Sequence, residues 1–404
     1  MAKLSQKKKQ KSSTVENRYT GWCSNNGGKS WLERINAECI SPKQFYNRYV
    51  KRRMPVILTS SNTDCLKAFS IEALTAISGD CKVAVEKADP DSFRPFGRTD
   101  STCRVNMKFA DFLARMKEDE LYCSTQPVPE NAQGPTKYTS LHVQRLIDRG
   151  MIPDFLPLMG NMDLYQINAW IGCSEDGSSS GFHHDFHDNF YLLVAGEKHF
   201  RLSSPNLTSN KPTYGCQSGN KVLVHKNGLI SYLGDSIRED GAMVRDVLEW
   251  KLEKNPSAEL QEELEERILD EMMYESKPSE NPPSFCVEPT AQGEYMTETL
   301  KAGDMLYLPA GFYHEVISFN TDSHHMAVNY WYYPTSSSGT FEKPYEDDYW
   351  KERWANCLRQ SKRYYVNRDR MRKNKLPLRF QYSKSEILRF VRRIEKRKIE
   401  GFSI

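Results

Sequence analysis

The chain has 404 residues, of which 38% are hydrophobic, and its 56 basic and 53 acidic side chains give a net charge of +3 at pH 7. This length suffices to bury the core of one large domain with extensions. No apolar run approaches the ~20 residues that a membrane helix needs, and the opening MAKLSQKKKQKSS lacks the apolar centre of a secretory signal. We therefore expect a globular enzyme-sized protein that does not contact a membrane.

The ten cysteines are scattered singly from Cys23 to Cys357, and no Cys-x-x-Cys pair occurs among them. This distribution disfavours a zinc cluster and a disulfide framework. Free thiols are typical of a reducing compartment. We therefore expect the protein in the nucleus, the cytoplasm or both.

Charge is segregated along the chain. Residues 1–12 contain five lysines and no acid, and residues 359–400 contain sixteen lysines and arginines against four acids. Basic ends on an acidic body are typical of proteins that contact nucleic acid or ribonucleoprotein, and a solubilising tail with a solvated helix gives the same pattern. We predict that residues 1–20 form a disordered basic tail and that residues 336–404 form a basic, partly helical C-terminal extension.

Local patterns predict the elements in chain order. A helix should begin at Ser41 and Pro42, because serine is a common N-cap and proline is favoured in the first turn. Alternating apolar residues and turn signals predict further elements. These are strands at 53–58, 83–86 and 164–171 and a helix that begins at 107–113.

Residues 240–283 are predicted to form an acidic helical insertion. Within it, residues 259–275 hold eight acids and one base, and Leu260, Leu264 and Ile268 recur at helical spacing. Three interpretations remain open for this helix. The helix could be a solvated insertion packed lightly on the domain, or it could bind a partner protein. Alternatively, it could bind the basic C-terminal segment of the same chain.

Chemistry-bearing residues follow the predicted strand at 164–171. His183 and Asp185 are two residues apart, so on an extended strand their side chains leave the same side. His314 stands at the start of a second strand-like run. Two imidazoles and one carboxylate are typical of a mononuclear iron(II) site that keeps open positions. We therefore predict that these three residues bind a metal ion and form the catalytic centre.

Asn189 and Lys198 continue the first motif, which reads FHHDFHDNFYLLVAGEKHF. Two later segments, LKAGDMLYLPAGFYHEV and MAVNYWY, follow in the chain. This order of segments resembles the JmjC-domain (cupin-like) oxygenases, which depend on iron(II) and 2-oxoglutarate. The resemblance covers roughly residues 35–335. It implies a mainly β fold, a double-stranded β-helix of the jelly-roll kind with N-terminal α/β elements.

The same resemblance implies which residues bind the cosubstrate. Lys198 would bind the far carboxylate of 2-oxoglutarate, helped by the hydroxyls of Ser180 and Tyr138. Asn189 and Asn329 would contact the end that chelates the metal. A lysine on an apolar strand face agrees with this role, because a buried ammonium needs an anionic partner. Taken singly, Lys198 also fits a solvated hairpin lysine, and the two asparagines fit sheet residues bonded to backbone.

With Fe(II) as cofactor and 2-oxoglutarate and O2 as cosubstrates, the resemblance implies a dioxygenase that releases succinate and carbon dioxide. The phrases AVNYWY and SGFHHD are similar to small JmjC proteins that hydroxylate protein side chains. We therefore expect a protein hydroxylase with a protein substrate as its partner. The alternatives are an N-methyl-lysine demethylase of histones or other proteins, a tRNA-modifying hydroxylase that uses the basic ends, and a non-enzymatic scaffold. The pattern gives no oligomeric state.

Overall fold

The structure is a computed structural model that describes residues 32–60, 64–87, 104–128, 139–160, 162–185, 187–204, 222–224, 230–232, 242–275, 295–334, 347–350 and 352–353. The predicted basic tail at 1–20 and the cationic segment at 359–400 therefore lie outside the described residues. Tyr138 lies outside them as well. Within the described part of the chain, no helix is both long and apolar enough to span a membrane.

Helices occur mainly before and between the strands. They are α1 (Pro42–Phe45), α2 (Ile71–Ser78), α3 (Phe109–Arg115), α4 (Leu141–Asp148), α5 (Val244–Lys254) and α6 (Ala258–Glu275). A π-helical turn, Tyr46–Val50, continues α1, and 3-10 turns lie at Ala37–Cys39, Asp64–Phe69 and Pro157–Met159. The strands are β1 (Arg34–Asn36), β2 (Val56–Thr59), β3 (Lys82–Lys87), β4 (Arg104–Lys108), β5 (Leu121–Cys123), β6 (Leu164–Gly172), β7 (Ser178–Ser179), β8 (His183–His184), β9 (Asp188–Ala195), β10 (Glu197–Ser203), β11 (Val222–Val224), β12 (Ile230–Tyr232), β13 (Met296–Lys301), β14 (Met305–Leu308), β15 (Tyr313–Phe319) and β16 (His325–Tyr332).

Two sheets form the body of the protein. The large sheet has the order β1-β2-β14-β9-β16-β6-β5-β3-β4, and the small sheet has the order β13-β10-β15-β7, with β8 also paired to β15. Apart from the parallel pair β1 and β2, the strand pairs of both sheets are antiparallel. From β13 to β16 the chain changes sheet at every connection. This is the mainly β, double-stranded β-helix that the sequence predicts.

Strand alternation divides the core into two layers. On β16, Met326, Val328 and Tyr330 pack in the layer shared with the N-terminal helices, where Phe45 and Phe109 are also buried. The alternate residues of β16 face the other way, into the space between the two sheets, where apolar residues of β9, β10, β13 and β14 meet. Because side chains of a strand alternate, polar residues on this second face lie inside the barrel.

Most predicted elements are confirmed. Ser41 caps α1 through a reciprocal capping box with Gln44, as a serine before a helical proline predicts. The predicted strands at 83–86 and 164–171 correspond to β3 and β6, whereas the strand predicted at 53–58 begins only at Val56, as β2. The predicted helix start at 107 was wrong, because Met107 and Lys108 pair with Val83 and Lys82 across the sheet.

The predicted helix of the insertion is α6. Leu264 is buried and Leu260 and Ile268 are half-buried, so the predicted apolar face packs inward, and the acids between Glu259 and Glu266 are exposed. Its neighbour α5 packs through Val247 in a cluster that contains Tyr349 and Trp350. The described residues of the predicted C-terminal extension therefore pack on the insertion.

Gly196 joins β9 of the large sheet to β10 of the small sheet, and its φ of +78° is left-handed. A Cβ there would lie 2.5 Å from the Phe319 carbonyl oxygen. Gly150 has a similar φ of +73° but nothing within 4 Å of such a Cβ.

We expect Gly150→Ala to lower the free energy of unfolding by about 1 kcal/mol through backbone strain alone. Gly196→Ala should cost at least about 2 kcal/mol, because backbone must also move.

Urea unfolding of the two glycine variants, monitored by circular dichroism, measures this difference. Equal losses of stability in both variants would show that the corner at Gly196 has room for a side chain.

Candidate metal and cosubstrate site

The three predicted metal ligands meet where the two sheets adjoin. His183 on β8 and His314 on β15 are directly opposite each other in the small sheet. Asp185 follows in the segment that leads to β9 of the large sheet. One ligand atom from each residue lies within 4.8 Å of the others. The Asp185 carboxylate oxygens are 3.9 Å from His183 Nε2 and 3.8 Å from His314 Nε2.

Both imidazoles are oriented by the backbone two residues upstream. His183 Nδ1 lies 2.9 Å from the Gly181 carbonyl oxygen, and His314 Nδ1 lies 3.0 Å from the Phe312 carbonyl oxygen. A carbonyl oxygen only accepts hydrogen bonds, so each Nδ1 carries the proton. Each Nε2 therefore presents a lone pair to the centre of the group, which is the arrangement of metal-binding histidines with a fixed tautomer.

This set of donors fits iron(II). Its separations of 3.8 and 3.9 Å are too long for direct hydrogen bonds. They leave room for one ion about 2.1 Å from each ligand atom. Two imidazoles and one carboxylate on one side, with the other side open, are the donor set of mononuclear iron oxygenases. Among the described residues, this is the one group of histidine, cysteine and acidic side chains with metal-binding spacing.

The structure also brings Asn189 and Asn329 together. Asn329 Nδ2 donates to Asn189 Oδ1 at 3.1 Å, and Trp170 Nε1 donates to Asn329 Oδ1 at 3.0 Å. Both asparagines are buried and lie on the neighbouring strands β9 and β16. Asn329 shares its strand face with Ala327, which belongs to the core between the sheets. The two amides therefore lie inside the barrel.

Lys198 is fully buried on β10. Its ammonium donates to Ser318 Oγ at 2.5 Å and to His325 Nδ1 at 3.2 Å. No acidic side chain of the described residues forms an ion pair with it. Burial lowers the pKa of Lys198 to about 7, because the interior disfavours an ammonium without a counter-charge. The alternative of a solvated hairpin lysine is therefore wrong.

The hydroxyl in contact with Lys198 belongs to Ser318, which the sequence did not single out. Lys198 and Ser318 are directly paired across β10 and β15, so strand register brings them together. The buried Tyr122 side chain is hydrogen-bonded to Ser318. The predicted Ser180 hydroxyl instead accepts from the Val316 amide at 2.9 Å and donates to the Gly181 carbonyl at 3.1 Å. The signal for Ser318 was its spacing four residues after His314, on the same strand face.

Aromatic rings surround the turn after Asp185. His187 stacks on Tyr165 with 4.0 Å between the ring centroids. Trp331 lies directly opposite Asn189 in the sheet, and its centroid is 5.9 Å from His187. Burial lowers the pKa of His187 to about 4. His187 therefore belongs to a packed aromatic wall beside the predicted metal ligands.

A jelly-roll barrel that holds two histidines, a carboxylate with metal-ligand spacing and a buried lysine is typical of the cupin class. Residues 42–338 match the model of the cupin-like domain family. The chain therefore belongs to the cupin-like JmjC oxygenases, which are generally 2-oxoglutarate-dependent and use iron(II).

Individual relatives agree with the family. The JmjC domain-containing protein 4 of Schizosaccharomyces pombe is 30% identical over 81% of this chain and 90% of its own length. The lysine-specific demethylase JMJ32 of Arabidopsis thaliana is 31% identical over 41% of each chain. The human bifunctional peptidase and (3S)-lysyl hydroxylase JMJD7 is 26% identical over 41% of each chain.

We expect Asp185→Ala to abolish the binding of Mn(II), used as an oxygen-stable substitute for iron(II), because the carboxylate is the charged ligand of the group. Isothermal titration of the metal-free protein measures this loss. His199→Ala is a matched control, since His199 also lies beside a carboxylate, that of Glu197 at 2.7 Å, but on β10 away from the group. Retained Mn(II) affinity in the Asp185 variant would show that the metal ligands lie elsewhere.

Proposed function

We propose that this protein is an iron(II)- and 2-oxoglutarate-dependent dioxygenase that hydroxylates a protein side chain. One observation carries the proposal. A two-histidine, one-carboxylate group opens into the same barrel as a fully buried lysine whose described partners are neutral. A dicarboxylate that chelates a metal at one end and needs a cation at the other satisfies both features.

In this proposal His183, Asp185 and His314 hold the iron. When bound, iron(II) would supply oxygen activation, driven by the conversion of 2-oxoglutarate to succinate and carbon dioxide. The protein's own contribution is orientation. The carbonyls of Gly181 and Phe312 fix the two imidazole rings, so the ligand geometry exists before the metal binds.

Lys198 receives the far carboxylate of 2-oxoglutarate in this proposal, with Ser318 beside it. His325 supports the same end. Its Nδ1 accepts from Lys198, so its Nε2 carries the proton. That N–H is buried without a partner in the described structure. Burial and the neighbouring lysine keep the pKa of His325 well below its usual value, so it stays neutral. An incoming carboxylate would meet several donors and no acid.

Asn189 follows Asp185 by four residues, and Asn329 follows His314 by fifteen residues. We assign them to the keto-acid end of the cosubstrate. Their mutual hydrogen bond and that from Trp170 fix both amides in place. Such preorganisation limits the positions open to the reacting groups and favours one C–H bond of the substrate.

A protein substrate is favoured by the relatives. The names of two of them specify lysine chemistry on proteins, a lysyl hydroxylase and a lysine-specific demethylase. We propose hydroxylation as the reaction and a protein side chain as its site, with lysine as the first residue to test. N-methyl-lysine demethylation remains the second candidate because the similarity to the demethylase is of equal extent.

The lysine pocket predicts a pH dependence. The pKa of Lys198 is about 7 in the unliganded protein, and a bound carboxylate would raise it. Below pH 7 the ammonium is already present, whereas above it binding must take up a proton. The dissociation constant of 2-oxoglutarate should therefore rise by up to about tenfold per pH unit above neutrality. Calorimetric titration of the Mn(II)-loaded protein between about pH 6.5 and about pH 8.5 measures this slope.

Lys198→Arg is the control for this titration, because a guanidinium stays protonated at every pH tested. The slope above neutrality should disappear in that variant. An identical slope in both proteins would locate the titrating group outside the lysine pocket.

The substrate class can be read from cell extract incubated with enzyme, iron(II), ascorbate and 2-oxoglutarate. We expect mass spectrometry to find peptides that gain one oxygen atom, and to find none with the Asp185→Ala variant. Loss of a methyl group from lysine would identify a demethylase instead. Oxidised nucleosides without oxidised peptides would identify an RNA-modifying enzyme. If the wild-type protein formed no more succinate than the Asp185→Ala variant, dioxygenase activity would be contradicted altogether.

A further inference from the structure

Asp188, three residues after Asp185, has a fully buried carboxylate that is surrounded by donors. Arg53 binds it with both terminal nitrogens, at 2.9 Å to Oδ2 and 2.7 Å to Oδ1. The Tyr307 hydroxyl donates to Oδ2 at 3.1 Å, and the Ala310 amide donates to Oδ1 at 2.8 Å. The carboxylate therefore ties β9 to β14, to the loop before β15 and to the segment before β2.

The loop held in this way carries His314. Arg53 also donates to the Ala310 carbonyl oxygen at 3.2 Å, so both polar groups of the Ala310 backbone bind the Arg53–Asp188 pair. The next amide, that of Gly311, donates to the Asp185 carbonyl oxygen at 2.9 Å. Two successive amides of one loop are thus bound to the segment that bears another metal ligand.

The backbone of Arg53 indicates that its side chain is needed. Arg53 has a left-handed φ of 53°, a conformation that glycine adopts freely and that a longer side chain makes strained. The guanidinium is nevertheless buried beside Asp188. A charged residue in an unfavourable backbone conformation fits a position where the ion pair outweighs local strain.

We propose that the Arg53–Asp188 pair positions the metal ligands by fixing the distance between Asp185 and His314. It acts through the backbone of Ala310 and Gly311, and it is a positioning element without direct contact with the metal. The inference rests on the proposed function, since it takes His183, Asp185 and His314 as the iron site. Loss of the Arg53–Asp188 pair should lengthen the distance between Asp185 and His314. It should weaken metal binding by more than the loss of fold stability explains.

A second buried ion pair in the same sheet provides the control. Glu86 on β3 is fully buried and binds Arg104 at 3.1 Å and the Ser124 hydroxyl. Its strand lies near the opposite end of the large sheet from β14. Glu86→Gln and Asp188→Asn therefore make the same chemical change to a buried, arginine-bound carboxylate, at different distances from the metal ligands.

The test measures two properties of each variant, the Mn(II) dissociation constant by calorimetry and the urea midpoint of the metal-free protein. Asp188→Asn should weaken Mn(II) binding about 10- to 100-fold, the usual effect of losing a group that orients ligands. Glu86→Gln should shift the urea midpoint but leave Mn(II) affinity unchanged. Arg53→Gly tolerates the left-handed backbone and removes the whole side chain with its guanidinium, so it should weaken Mn(II) binding even if Asp188→Asn fails to fold.

The absorption spectrum of bound Co(II) gives an independent signature of ligand geometry. It should change in Arg53→Gly and Asp188→Asn and remain that of wild type in Glu86→Gln. Wild-type Mn(II) affinity and an unchanged spectrum in Arg53→Gly would overturn the positioning role. Failure of the wild-type protein itself to bind Mn(II) or Co(II) would contradict the proposed metal site, which is a different result.

Discussion

The chain crosses from the small sheet to the large sheet between His184 and Asp188, and the candidate site depends on this short crossing. His183 is placed by pairing with His314 inside the small sheet. Asp185 lies on the crossing itself, where no strand partner fixes it. Its place follows from the Gly311 amide and from the burial of Asp188 just beyond it. Sheet register places His183 beside His314, and the buried Arg53–Asp188 ion pair holds the segment that carries Asp185 next to them.

The second constraint is the uncompensated burial of Lys198. Inside a barrel, a charge without a counter-charge is costly, and the described neighbours of Lys198 offer a hydroxyl and a neutral imidazole. Such a pocket is stable when a carboxylate enters it. In the proposed function, the metal group and the cation would select a ligand by its two ends, and the asparagine pair between β9 and β16 occupies the same interior face.

Local patterns predicted the parts of this site that are contiguous in sequence. The motif from His183 to Lys198 and the strand that carries His314 could be read from residue order and alternation, and the fold was implied by the family resemblance that these segments carry. Ser318 and His325 could not be predicted from local patterns. They contact Lys198 through strand pairing, which places Ser318 opposite Lys198 and His325 beside it. Arg53 could not be predicted from them either, since its partner is 135 residues away. The helix predicted to begin at Met107 begins at Phe109, because pairing with β3 extends the strand to Lys108.

The central claim is that one barrel binds iron(II) and 2-oxoglutarate together. Its most direct test is an anaerobic titration of the iron(II)-loaded protein with 2-oxoglutarate, followed by visible absorption. Chelation of the metal by the keto acid would create a charge-transfer band, and the account predicts that this band saturates at one equivalent of 2-oxoglutarate per chain. Iron(II) bound tightly with no band at any concentration of 2-oxoglutarate would contradict it.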